Sequence, residues 1–232
     1  MLRSLFPYRT SVMDVLKPTF SKALRGLSLG LTAAVTLLAI APAAVAAAAT
    51  TAGSAEAGQV KSVTCAACHG MDGNSLNPEW PSIAGQHEGY LIKALQTFRS
   101  GDRKNVLMSG MAMPLTDEDI RDLAAYFAKQ KRKGNVADPG LVTAGERLYR
   151  GGNKDTGVPA CLACHGPTGQ GNPAAGWPSI GGQHATYAAA QLVAYRSKQR
   201  ATDGDTQMMR NVASALTDDD IKAVTSYIQG LR

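Results

Sequence analysis

Apolar residues recur at three- and four-residue spacing in two well-defined stretches of this chain. Across residues 116–130, Ile120, Leu123 and Phe127 share one helical face; Thr116 is placed to cap the helix, and three acids fill its first turn, where the dipole favours them. Residues 217–230 repeat the pattern with Ile221, Val224 and Ile228. Helical spacing also fits 54–64, 87–99, 141–150 and 184–197. No run of alternating apolar and polar residues argues for a strand, so the pattern predicts an all-α fold. The segments between are rich in Gly and Pro and lack periodicity, and loops that long in a small domain need something else to pack on.

The N-terminus follows a different rule. Residues 1–26 carry Arg3, Arg9, Lys17, Lys22 and Arg25 against Asp14; an uncharged apolar run, 27–41, and an Ala-rich stretch to Ala49 follow. A basic start, a short apolar core and small residues in A-x-A register, Ala44-Val45-Ala46 among them, predict a signal peptide over residues 1–48. The alternative is an uncleaved anchor, since the uncharged run from Gly26 to Ala55 is long enough to span a bilayer. Its second half, mostly Ala and Thr, is weakly apolar, which favours cleavage. The leader also explains the charge. The chain is +6 overall, but beyond residue 26 nineteen basic residues face seventeen acidic ones. The basicity belongs to the leader, and no nucleic-acid partner is expected.

The remainder is one unit written twice. Cys65-Ala-Ala-Cys68-His69-Gly70 recurs as Cys161-Leu-Ala-Cys164-His165-Gly166 at an offset of 96. Trp80-Pro-Ser-Ile-Ala-Gly-Gln-His87 recurs as Trp177-Pro-Ser-Ile-Gly-Gly-Gln-His184 at 97, and Thr116-Asp-Glu-Asp-Ile120 as Thr217-Asp-Asp-Asp-Ile221 at 101. Three blocks in one order predict two domains, 53–133 and 141–232. The linker, 134–140, lies in the turn-forming stretch Lys131–Gly140. Gly58 and Gly145, on the first helix of each half, are expected to let the last helix cross closely near Tyr126 and Tyr227.

All four cysteines fall in the two Cys-x-x-Cys-His motifs, the attachment pattern of c-type haem. Two thiols one turn apart can form thioethers to the vinyl groups on one porphyrin edge, and the adjoining His ligates the iron from beneath. Cys65 and Cys68 would hold one haem, Cys161 and Cys164 the other, with His69 and His165 as proximal ligands. Local disulfides in an exported protein are one alternative. Zinc is another, but zinc ribbons bring their Cys pairs within about 15–20 residues, whereas Cys68 and Cys161 lie 93 apart. Neither alternative needs a His after each pair.

The sixth ligand is sought among His and Met. Counting back from Thr116 and Thr217 aligns Met108 with Met209, while Met111 faces Val212, Met113 faces Ser214 and Met208 faces Leu107. Only one Met of this loop is present in both copies, so Met108 and Met209 are the expected distal ligands. Core packing is the plain alternative for such methionines, and Met111 and Met113 stay open as first-half substitutes. His87 and His184 are rival ligands, expected instead to be polar residues at a helix start, near a haem propionate. Trp80 and Trp177 are expected to pack on haem.

Tandem haem motifs, Gly-Gln-His before a helix, a Met loop, and a last helix ending Tyr-Ile-Gln-Gly-Leu together resemble the dihaem cytochrome c4 family from about residue 53 to 232. The resemblance implies two class I cytochrome c domains about a pseudo-twofold axis, each with one covalent His/Met haem c. It implies a periplasmic electron carrier, often loosely membrane-associated, with redox partner proteins: a quinol-oxidising bc-type complex and a terminal oxidase. Two further classes compete with a free shuttle. One is the cytochrome subunit of a periplasmic dehydrogenase; the other is a dihaem peroxidase, which needs an open iron and an acid–base residue above it. Both halves offer a Met, and the four His sit at symmetric positions, so no catalytic residue and no enzymatic activity are expected.

Overall fold

Thr116 and Thr217 start the helices around which each half is built. Each hydroxyl accepts the backbone N–H three residues on, and Asp119 or Asp220 accepts from the cap's own N–H, closing a capping box. The computed structural model describes residues 52–232. The expected leader, 1–48, lies outside the described residues. Within them are ten helices. The first half holds α1 (Ala55–Lys61), α2 (Val63–His69), α3 (Glu88–Ser100), α4 (Val106–Ala112) and α5 (Asp117–Lys129). The second holds α6 (Val142–Gly151), α7 (Leu162–His165), α8 (Ala185–Arg196), α9 (Met208–Ser214) and α10 (Asp218–Gly230). The described residues contain no sheet, only three isolated bridges. One expectation needs correcting: the Met-bearing segments are short helices, α4 and α9, rather than loops. Seven residues give too few turns for an apolar period to show in sequence.

The packing order is the same in both halves. α1 crosses α5 and α6 crosses α10; α3 and α8 lie on these last helices, and α4 and α9 lie on α3 and α8. The crossings depend on Gly58 and Gly145, as expected. A Cβ on Gly58 would collide with the Asp122 carbonyl and sit 2.8 Å from Tyr126 Cβ; one on Gly145 would collide with the Ala223 carbonyl, 2.6 Å from Tyr227 Cβ. Across the first crossing Lys61 Nζ reaches Asp119 at 2.7 Å and Asp122 at 2.6 Å, while Ser54 N–H donates to the other Asp122 oxygen at 2.7 Å. The second half has the larger core: Leu148, Tyr149, Val158, Leu216, Ile221, Val224, Ile228 and Leu231. The first buries Leu91, Leu123, Ala124 and Phe127.

Two reciprocal side-chain–backbone pairs are among the bonds that join the halves. Gln86 Nε2 donates to Ser179 O at 2.8 Å while its Oε1 accepts from Ser179 N–H at 2.9 Å. Gln183 does the same to Ser82, at 2.8 and 3.0 Å. Exchanging the halves maps one pair onto the other, as a pseudo-twofold axis demands. The connecting stretch is held on both sides. Asn74 Oδ1 accepts from Lys133 N–H at 2.8 Å, and Ser226 Oγ accepts from Asp138 N–H at 2.9 Å.

Two expectations follow for stability. Gly58→Ala or Gly145→Ala costs about 1–3 kcal/mol through overpacking. Gly110→Ala, at a helical site open to solvent, stabilises by up to about 1 kcal/mol; denaturant unfolding reads both signs. In the seam, Gln183→Ala strands the buried Ser82 backbone groups and costs about 1–3 kcal/mol. It exceeds the effect of Gln86→Ala, whose partners are only partly buried.

Candidate functional site

α2 carries the whole first motif, with Cys65 and Cys68 one turn apart. Gly70 caps it at φ +79°, where a side chain would strike the Asn74 carbonyl, so the chain turns away directly after His69. α7 and Gly166, at φ +75°, repeat the arrangement for Cys164 and His165, with Cys161 as the N-cap. All four thiols are free and half-buried. Burial pushes the Cys65 thiol up, and that of Cys161 to about 11. Among the described residues no three His, Cys, Asp or Glu side chains converge as a metal cage, which the zinc alternative would need.

His69 and His165 are buried at the ends of these helices. Their Nδ1 atoms lie 2.8 Å from Pro81 O and 3.0 Å from Pro178 O. A carbonyl can only accept, so Nδ1 carries the hydrogen and Nε2 keeps its lone pair. Burial holds both imidazoles below their ordinary pKa. Each is therefore a neutral, oriented nitrogen donor, the state in which His binds iron. The two prolines follow Trp80 and Trp177, so the repeated Trp-Pro step supplies the carbonyl that fixes each ring.

Both motifs open onto one continuous cavity of about 1560 Å³. A single small-molecule site occupies roughly 300–1,000 Å³, so the space suits two sizeable groups. Its lining brings together Cys65, Cys68, His69 and Met108 from the first half with Cys161, Cys164, His165 and Met209 from the second. Trp80 and Trp177 line it too, among aliphatic residues such as Ile83, Leu95, Leu123, Ile180, Leu192 and Val224. Met111 and Met208 also reach the cavity but are 44% and 39% exposed, whereas Met108 and Met209 are partly buried. Met113, 70% exposed, lies off it. The thiols, lone-pair imidazoles, thioether sulfurs and apolar walls are a donor set that fits covalent haem.

The rival histidines lie elsewhere. His87 and His184 are the N-caps of α3 and α8, as expected, but neither lines the cavity. Each reaches into the opposite half: His87 Nε2 lies 2.8 Å from Gln170 O, and His184 Nε2 2.9 Å from Ser75 O. Tyr90, Arg103, Tyr187, Gln191 and Arg200 line the cavity at the seam but were not among the residues expected from the sequence. A signal was present, since Tyr90 and Arg103 recur as Tyr187 and Arg200 at the same offset of 97 as the Gly-Gln-His block.

The family model described as Cytochrome c matches this chain twice, over residues 55–131 and 142–232. Cytochrome c4 of Stutzerimonas stutzeri is 51% identical over 184 residues, covering 75% of this chain and 88% of that protein. The chain belongs to the cytochrome c4 family. The crystal structure of reduced recombinant cytochrome c4 from Pseudomonas stutzeri superposes with a TM-score of 0.76 at 52% identity, over 78% of this chain and all of the other. A thiosulfate dehydrogenase electron acceptor from Thiomonas intermedia is 38% identical over 173 residues, 72% of this chain and 78% of its own length. As a cytochrome c4 homologue with two tandem cytochrome c domains, this chain is an electron carrier that binds two haem c groups.

Proposed function

We propose that the chain is a periplasmic one-electron shuttle, exported by its N-terminal leader, in which each half serves one iron. Cys65 and Cys68 hold the first haem c by thioethers, with His69 and Met108 as axial ligands. Cys161 and Cys164 hold the second, with His165 and Met209. The observation that carries this is the cavity lining. Each half sets an imidazole with a fixed lone pair and a half-buried thioether sulfur, from different helices, on the same cavity.

Haem c supplies an iron centre that gains and loses one electron. The residues of this chain decide how readily. The Pro81 and Pro178 carbonyls lock the imidazoles and raise their basicity. Thioether sulfur is a soft ligand that favours ferrous iron, and apolar walls disfavour the extra charge of the ferric state; both raise the potential. With a protein atom available for each axial position, neither iron is left to bind a substrate, which supports transfer without catalysis. For partners, the favoured pair is a quinol-oxidising bc-type complex and a terminal oxidase. A second reading, service as the acceptor of a periplasmic dehydrogenase, is favoured by the similarity to a thiosulfate dehydrogenase electron acceptor.

Met108→Ala and Met209→Ala should each abolish the Met–Fe(III) charge-transfer band of one haem, lower its potential and open that iron to carbon monoxide. Met111→Ala and Met113→Ala should leave ligation intact; a five-coordinate haem from either of these would move the first-half ligand away from Met108. The partners are separated by kinetics. The reduced protein should be reoxidised by membranes containing a terminal oxidase within turnover time. If only a dehydrogenase exchanges electrons with it, and membranes do not, the dehydrogenase reading replaces the respiratory one.

A further inference from the structure

The segments that deliver the two distal methionines are not built alike. Arg103 and Met108 are five residues apart, whereas their repeat counterparts Arg200 and Met209 are nine apart, so the second loop is four residues longer. In the first half Asn105 caps α4, and its Oδ1 accepts the Met108 N–H itself at 2.9 Å, at an exposed position. The second half lacks such a cap. Gln207, at the N-cap of α9, makes no side-chain hydrogen bond to the helix and sits at φ +50°. That is the left-handed region, which a residue with a Cβ keeps only where its surroundings over-determine it. A longer loop that enters a seven-residue helix through a strained residue would, by itself, leave Met209 poorly fixed.

An ion pair compensates. Arg210, next to Met209, donates its backbone N–H to Asp203 Oδ2 at 2.9 Å and its Nε to Asp203 Oδ1 at 2.7 Å, while its Nη2 donates to Gly204 O at 2.9 Å. One carboxylate thus takes a main-chain and a side-chain donor from the residue after the ligand, and fastens the two ends of 203–210 together. The Asp203 side chain is 4% exposed and that of Arg210 16%; in every other ion pair of the described residues at least one side chain is 30% exposed or more. Exposed pairs contribute little, but losing one partner of a buried pair is costly, because it strands the other charge away from water. Asp203 and Met209 line the same cavity. The first half has no equivalent of this pair: Ser109 stands where the second half has Arg210, and Asp203 lies in the longer loop.

We propose that Asp203 and Arg210 are positioning residues for the second iron: their ion pair clamps the loop and α9 so that the Met209 sulfur stays on the metal. The proposal rests on the axial assignment of Met209 above. A thioether is a soft, neutral ligand better suited to ferrous than to ferric iron, so its hold on the ferric ion depends on the rigidity of the chain that carries it. An outside ligand can enter only after the sulfur leaves, and the sulfur leaves only when residues 203–210 open. The two halves therefore set ligand residence by separate means. Met108 relies on a short loop and a neutral, exposed cap, and Met209 on a long loop closed by a buried pair of charges.

The test is cyanide binding to the ferric holoprotein, followed as loss of the Met–Fe(III) band, with Met209→Ala marking the second haem's share of that band. Asp203→Asn and Arg210→Gln should each keep two haems and let cyanide enter the second haem at least about tenfold faster, with the first haem unchanged. Arg210→Lys, which restores the charge, should regain most of the slow rate. A pair acting through its field alone would move the two charge-removing variants in opposite directions, since one removes an anion and the other a cation. That outcome overturns the clamp, as do unchanged rates, equal acceleration at both haems, or a lysine variant as fast as the glutamine one. If Met209→Ala leaves the band whole, the axial assignment fails instead, so the two failures are distinct. If the charge-removing variants do not fold, amide exchange in the unmodified ferric holoprotein decides. The Arg210 N–H should exchange more slowly than the Met108 N–H, whose acceptor Asn105 is exposed; an equal or reversed order overturns the clamp.

Discussion

Too little apolar core is available to each half for the fold to stand on its own contacts. Small domains bury a modest fraction of their surface and need a staple of some kind. The first half buries only Leu91, Leu123, Ala124 and Phe127 as a connected cluster, and much of the remaining apolar surface lines the cavity. Covalent haem answers that shortage by contributing a large apolar surface that cannot dissociate. The loops rich in Gly and Pro can then remain irregular, because their packing partner is the cofactor rather than another element. Even the helix crossings obey the same economy of space, with Gly58 and Gly145 bringing backbones together where no side-chain layer is available.

The sequence declared the parts of the fold whose signals are local. Thr116 and Thr217 announced the last helices as caps followed by three acids, and the paired glycines announced the crossings. The haem motifs were legible because their chemistry fixes their spacing. What escaped was non-local or short. α4 and α9 are too brief to show a period, so they read as loops. Gln86 and Gln183 stood only as part of the repeated Gly-Gln-His block, since nothing in one half says that the other half's Ser179 and Ser82 wait across the seam. His87 and His184 were placed correctly at helix starts, but their contacts with the opposite half could not be read from either copy alone. Arg103 and Arg200 drew no reading, because arginine is mostly exposed and nothing local marks a buried one.

Fixed geometry is what a two-centre carrier requires, and it is built here from small, redundant ties. The imidazoles are locked by main-chain carbonyls, the halves by side-chain amides that imitate backbone pairing, and the connecting stretch by bonds to Asn74 and Ser226. None of these depends on a surface ion pair, whose strength would vary with salt. The relative placement of the two halves should thus be insensitive to ionic strength, even if encounters with partners are not.

The reciprocal glutamine–serine contact has a consequence for a single half taken alone. A patch that pairs with its own repeat copy is isologous in the sense used for twofold homodimers: each surface is complementary to itself. The chain is therefore a dimer whose two subunits share one backbone, and the connecting stretch acts as a tether. Tethering replaces a bimolecular association with an effective concentration that reaches roughly the millimolar range for short linkers. A seam built from individual hydrogen bonds, the four from two glutamines among them, can then hold a face that separate subunits would lose on dilution.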